Sequence, residues 1–328
     1  MGGRAVIRQY DFAPLDGITK TVFRRVWNDQ FGGADRFFIP FFSPTSEHVM
    51  MNRDLKELDR ARNAGLELVP QVMTKRAEDF IWAAEIVKDL GYTEANLNLG
   101  CPSGTVAGKG KGSGFLAKPD DLEKFFDEVF SKVTVPVSVK TRLGIHDPEE
   151  FERILEIYNR YPIACLTIHP RVQKQFYKGE VHLDSFAQAL ETSKNPICYN
   201  GDLKTVEDFQ RFEERFPAVE HVMVGRGAIG DPALLRKVRG TGQAATREEL
   251  QHLTKTLYAA YTEFYEGQAA QAAQRMKEVW FYLIHLFVGG ERIDRKLRRN
   301  RDPRVYEQLE ATIFAELPLL DHLEGSLT

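Results

Sequence analysis

The chain has little cysteine: three residues in 328, at positions 101, 165 and 198. None are paired at metal-ligand spacing, so neither a zinc site nor a disulfide scaffold is expected, and a reducing cytoplasm is the expected setting. Long apolar runs are also missing. The longest, Val279–Val288, has ten residues and contains His285, against the ~20 needed to span a bilayer. No basic stretch followed by an apolar core opens the chain, so no secretion signal is expected. Val6 stands where a myristoylation start requires Ser or Thr. Excess positive charge is absent, the formal net charge being -3. Any nucleic-acid binding must therefore come from local patches. The glycine-rich phosphate motifs fail too. In Gly108–Gly114 the G-x-G-x-x-G register breaks at Ser113 and Phe115, and no Gly-Lys pair there precedes Ser or Thr.

What is present is an ordinary globular composition, 43% hydrophobic and 28% charged. The length suits about two domains, or one large barrel with an appendage. Short β-rich runs recur at Tyr10–Pro14, Phe37–Pro40, Leu66–Met73, Glu94–Leu99, Val135–Thr141, Ile163–His169, Pro196–Asn200 and His221–Val224. Helical patterns lie between them, as at Glu78–Leu90, Pro119–Lys132, Pro148–Tyr158 and Thr205–Phe216. In the first of these, Ile81, Trp82, Ile86, Val87 and Leu90 are expected to share the inner face. Alternation of this kind predicts a parallel sheet, and eight units in ~250 residues predict an α/β TIM (β/α)8 barrel over residues 1–242. Residues 243–328 read as a small all-α helical-bundle domain. A polar glycine linker, 239–243, precedes the capping box Thr246-x-x-Glu249 and the stripe Leu250, Leu253, Leu257, Tyr261 and Phe264. Helical patterns follow at Gln268–Phe287 and Val305–Phe314.

Active sites of such barrels lie at the C-terminal ends of the strands, and polar residues collect there. They are Asp16 after strand one, Gln71 in strand three, Asn96, Asn98 and Cys101 in and after strand four, and Lys140 and Arg142 in strand five. His169 and Arg171 follow in strand six, Asn200 and Asp202 in strand seven, and Arg226 in strand eight. Gly201, Gly225 and Gly227 allow close backbone approach at the last two ends, where barrels often hold a phosphate; the plainer alternative is tight βα turns. Lys140 is either a mouth lysine reaching solvent or a cation beside an electron-rich cofactor ring. Cys165 and Cys198 sit in apolar strands and read as inert core. Cys101 follows Gly100 and opens a glycine- and lysine-containing loop, where a thiol can donate a proton.

The segments Ala13–Thr19 with Phe23-Arg24, Asn98–Pro102, Val139–Gly144, His169–Arg171, Asn200–Asp202 and Gly225–Gly227 together resemble the dihydrouridine synthase family. The resemblance runs through the barrel in order and into the helical part at Arg275–Lys277 and Trp280–Tyr282. It implies an FMN enzyme that reduces uridine in RNA, most readily tRNA, to 5,6-dihydrouridine with NADPH. Hydride would go to uracil carbon 6 and a proton from Cys101 to carbon 5. The implied FMN contacts are Pro14, Leu15, Asp16, Gln71, Lys140, His169, Asn200, Gly201, Asp202, Gly225 and Arg226. Asn98, Arg142 and Arg171 would face the uridine and its phosphates. No metal, no membrane and a monomer are expected. Two departures concern subgroup: Ser103-Gly104-Thr105 stand where many members have a lysine, and Leu15 replaces the common Met.

Seven basic residues between Arg292 and Arg304 offer phosphate contacts, with Arg295, Arg298 and Arg299 at their centre. The plainer reading of this run is a solvated face. A small-molecule FMN oxidoreductase of the dihydroorotate or enoate type, and the same reaction on ribosomal RNA, are the competing functions.

Overall fold

A computed structural model describes residues 7–324 and Leu327. All eight expected strands form: β1 (Gln9–Phe12), β2 (Arg36–Phe42), β3 (Leu68–Val72), β4 (Ala95–Leu99), β5 (Val137–Arg142), β6 (Leu166–His169), β7 (Ile197–Tyr199) and β8 (His221–Val224). Every neighbouring pair is parallel and β8 closes on β1, Gln9 opposite His221 and Phe12 opposite Val224. The fold is a TIM barrel followed by helices.

Strand alternation sends one set of side chains outward to the helices and the other into the barrel. Outward, Phe12 meets Trp27 edge-on at 4.7 Å and stacks on Phe37 at 5.4 Å. Trp27, on the helix Thr21–Gln30, is fully buried and donates its indole N–H to the Ala228 carbonyl at 3.1 Å. Inward, Ala13, Phe38, Val69, Cys165, Cys198 and Met223 form a separate apolar plug. Both cysteines are buried and free, as expected from their apolar strands.

Toward the strands' N-terminal ends, below the plug, lies a charged cluster. Asp11, wholly buried, accepts from Arg36 Nε at 3.1 Å and Nη2 at 2.9 Å, and from His221 Nε2 at 2.7 Å. Arg36 also reaches Glu94 at 2.9 Å. The plug separates this cluster from the polar side chains at the other end.

The helix Ala77–Asp89 forms where expected, but its inner face differs. Phe80, Ala83, Ala84 and Val87 face the barrel, while Ile81, Trp82 and Ile86 are half-buried at the flanks. Two alanines let the helix approach the strands closely, and Trp82 is free to stack on His48 at 5.0 Å.

Beyond the barrel, Thr246 and Glu249 cap the helix Arg247–Phe264 reciprocally, at 3.2 and 2.8 Å. Leu250, Leu253, Leu257 and Tyr261 bury its stripe, and Phe264 stays partly exposed near the helix's end. The helices Ala269–Leu283 and Pro303–Glu316 follow expectation. A further helix, Glu291–Arg299, occupies the basic run and buries Ile293, Asp294 and Leu297. Among the described residues no helix is long and apolar enough to cross a membrane.

Candidate active site

The strands' C-terminal ends open on a cavity of 510 Å³, within the range of ordinary ligand sites. Pro14, Leu15, Asp16, Asn98, Cys101, Lys140, Arg142, His169, Asn200, Gly201, Asp202, Gly225 and Arg226 line it together. Gln71 and Arg171 do not. Gln71 lies wholly buried beneath the floor, and Arg171 belongs to an adjoining polar recess with Lys178, Lys204 and Arg226. Arg295, Arg298 and Arg299 are exposed on the helix Glu291–Arg299, outside both recesses.

Phe41, Phe176, Tyr177, Lys204 and Tyr282 also line the cavity wall, outside the polar pattern at the strand ends. Phe176 and Tyr177, 47% and 42% exposed, are legible in the sequence as adjacent aromatics in the polar loop after β6. Tyr282 comes from the helical region, which thus completes the barrel's mouth.

The wall is strongly cationic. Burial pushes the Lys140 ammonium down to about 8, helped by the facing Arg142 guanidinium. Burial likewise lowers Arg142 to about 10. His169, deeply buried and surrounded by Arg142, Lys140, Arg171 and Arg226, falls well below the usual imidazole range and is neutral at pH 7. Among the described residues neither Lys140 nor His169 is hydrogen-bonded to a carboxylate; His169 Nε2 instead meets Arg171 Nη1 at 3.1 Å. Such a wall calls for an electron-rich or anionic ligand.

Asp202 organises the side of the cavity at the ends of β7 and β8. One carboxylate oxygen accepts from Arg226 Nη2 at 2.7 Å and from Arg171 Nη1 at 3.0 Å. The other accepts from Arg171 Nη2 at 2.5 Å. Asp202 therefore holds two arginines in place. Close approach explains the glycines beside it: a Cβ at Gly225 would lie 3.1 Å from both Ala13 and Leu15.

Cys101 is held at both its backbone groups. Its N–H donates to Asn98 Oδ1 at 2.9 Å, and its carbonyl accepts from Ser113 N at 3.1 Å and Ser113 Oγ at 2.8 Å. Gly112, with φ +55°, packs so near that a Cβ there would lie 2.9 Å from the Cys101 carbonyl. The glycine-rich loop that fails as a nucleotide motif thus seats a thiol. Burial pushes that thiol above its ordinary value, so it carries its proton at neutral pH.

A family model described as Dihydrouridine synthase (Dus) matches residues 11–311. The chain belongs to the dihydrouridine synthase family. Family relatives span most of it. It is 28% identical over 316 residues to a protein of Rhizobium leguminosarum bv. phaseoli named as a probable tRNA-dihydrouridine synthase, covering 91% of this chain and 94% of that one. It is 30% identical over 225 residues to tRNA-dihydrouridine synthase B of Pasteurella multocida, covering 68% and 67% respectively. Among solved structures, 2-naphthoyl-CoA reductase aligns with a TM-score of 0.55 at 12% identity, over 71% of this chain and 50% of that one. Morphinone reductase aligns at 0.51 and 14%, over 71% and 86%. The chain spans half the length of the first of these, and at such identities the likeness concerns the fold.

Proposed function

We propose that this family member reduces uridine in tRNA to 5,6-dihydrouridine in the cytoplasm, as a monomer, with FMN as its cofactor and NADPH as electron source. The observation carrying the reading is a protonated thiol, Cys101, on the wall of a cationic cavity that also presents Lys140, His169 and Arg226. The residues suit FMN. Lys140, with no carboxylate hydrogen-bonded to it, suits an electron-rich ring, and Arg226 on the same cavity wall suits a phosphate. Lys140, His169 and Asn200 would hold the ring, and Gly201, Gly225 and Arg226 the phosphate. Gln71 would act from beneath and Asp202 through the arginines it pairs. Bound FMN, once reduced, would supply the hydride for uracil carbon 6.

The chain's own part is the proton. Cys101 Sγ gives it to carbon 5 as negative charge develops on the base, forming a C–H bond while the S–H bond breaks. Arg142 and Lys140 stabilise the resulting thiolate, both acting to lower the Cys101 value. Solvent then restores the proton. Asn98 and Arg142 on the wall would contact the uridine, and Arg171 its phosphate.

The wild-type protein is expected to purify yellow and to restore dihydrouridine, mapped by mass spectrometry, in tRNA from cells lacking the activity. Its apoprotein should bind FMN progressively more weakly as pH rises through about 8, because the ammonium of Lys140 is then lost. Lys140→Met should bind more weakly at pH 7 and show no such pH dependence. A colourless wild type that cannot be reconstituted with FMN would remove the flavin from the reading.

Docking of the tRNA would draw on the helix Glu291–Arg299, whose Arg292, Arg295, Lys296, Arg298 and Arg299 are all exposed. Arg298 is partly tied to Asp294 and lies over the Phe281 ring at 4.5 Å. Replacing Arg295, Arg298 and Arg299 with Ala should weaken tRNA binding and flatten its log–log salt dependence by roughly 0.7–0.9 per lost phosphate contact. Flavin content and NADPH oxidation should not change. An unaltered salt slope would show the run to be a solvated face.

A further inference from the structure

We infer that Asn96 and Ser138, neither of which lines the cavity, are positioning residues for proton transfer from Cys101, acting through a directed chain of side-chain amides. The inference rests on the reading of Cys101 as proton donor. The chain crosses three strands. Ser138 Oγ accepts from Asn96 Nδ2 at 2.7 Å, Asn96 Oδ1 from Gln71 Nε2 at 2.8 Å, and Gln71 Oε1 from Asn98 Nδ2 at 2.7 Å. Asn98 Oδ1 then accepts from the backbone N–H groups of Gly100 at 3.0 Å and Cys101 at 2.9 Å. Register supports the geometry, because Gln71 lies opposite Asn96 and Asn96 opposite Ser138. Ser138, Asn96 and Gln71 are fully buried and Asn98 is 7% exposed.

The polarity of the chain is set from the Cys101 end. Two backbone N–H groups can only donate, so Asn98 must turn its oxygen to them and its NH2 to Gln71. Gln71 must then accept, which leaves its own NH2 for Asn96 and the NH2 of Asn96 for Ser138. No single amide can flip without setting donor against donor or acceptor against acceptor in a dry interior. On β7 and β8 the barrel interior is filled instead by Cys198 and Met223. Polar side chains replace that filling on β3, β4 and β5, the strands beneath Cys101. Simple packing does not require them there. From above, Ser113 and Gly112 fix the Cys101 carbonyl; from below, this chain fixes its N–H. A displacement on the order of 1 Å at a reacting group can cost about 100-fold in rate.

The test uses FMN-loaded protein and separates the two half-reactions by stopped flow: flavin reduction by NADPH, then flavin reoxidation by a uridine-containing tRNA transcript. On protein saturated with FMN, Asn96→Leu should slow reoxidation by tRNA about 10- to 100-fold, well beyond any change in NADPH reduction that loss of the Gln71 partner brings. Asn96→Asp, which still accepts from Gln71 and pairs with Ser138, should restore most of the rate. In a Cys101→Ala background, Asn96→Leu should add no further loss, because its effect passes through the thiol. If Asn96→Leu fails to fold, Ser138→Ala makes the smaller lesion at the same link and should show the same pattern. Reoxidation at the wild-type rate in the folded variant, or a full additive loss beside Cys101→Ala, overturns the inference alone. A wild-type holoprotein that accepts electrons from NADPH but passes none to tRNA overturns the functional reading and this inference with it.

Discussion

Cys101→Ala is expected to reduce dihydrouridine formation by ~10²–10⁴-fold, the usual worth of a placed general acid, while leaving FMN content and flavin reduction by NADPH intact. The geometry separates the two. Cys101 shares the cavity wall with Lys140 and Arg226, yet its backbone is anchored by Asn98 and Ser113. Removing one sulfur therefore leaves the loop and the cationic wall in place. The pH profile should agree. Burial raises the thiol's titration, so the wild-type rate should hold through neutrality and decline only as alkaline pH removes the proton. Single-turnover reduction of tRNA measures both effects. Cys165→Ala and Cys198→Ala, each deleting a buried side chain of the interior plug, should cost stability and little chemistry. A parental rate in Cys101→Ala would assign the proton to another group.

Asp11→Ala is expected to lower unfolding free energy by about 3 kcal/mol, the lower end for breaking a buried ion pair. Asp11 accepts from both Arg36 and His221. Arg36 keeps Glu94 and is 19% exposed at its side chain, which limits the penalty left behind. The loss should depend on acid. Hydrogen bonds from His221 and Arg36, outweighing burial, hold the Asp11 carboxyl below its ordinary value. Its contribution is thus complete above the unfolded carboxyl's pKa, ~3.9, and disappears as pH falls through the lower folded value. Wild type and variant should accordingly converge in strong acid. Urea unfolding at pH 7 and pH 3 measures this, and a difference that grew toward acid would contradict the assignment. The active site should be undisturbed, since the plug of Phe38, Val69 and Met223 lies between.

The barrel was legible because its strands are short β-branched and aromatic runs ending in polar residues, and that pattern survives in a linear reading. The cavity wall was legible for the same reason. Other features depend on distance in space. Gln71 falls on the expected strand, but its place under the floor depends on Asn96 and Asn98 consuming both ends of its amide. The duty of Asp202 comes from arginines in the segments that follow β8 and β6. Tyr282 reaches the site only because the helix Ala269–Leu283 packs beside the segment Arg226–Gly230. The helix Glu291–Arg299 was hidden by its own charge, since two apolar side chains are too few to display a period.

The closure of β8 on β1 also bears on how the chain is made. Asp11 and His221 are 210 positions apart, so a ribosome working at roughly 5–20 residues per second leaves the first strand without its final neighbour for roughly 10–40 s. Throughout that interval β1 presents an open edge, the kind of surface on which nascent chains clump. An ionised aspartate in the middle of Gln9–Phe12 opposes such pairing, first alone, then beside Arg36, and is fully enclosed only when His221 arrives. The same carboxylate that anchors the finished barrel thus protects the unfinished one, and Asp11→Ala should be found in inclusion bodies at expression temperatures where the wild type stays in solution.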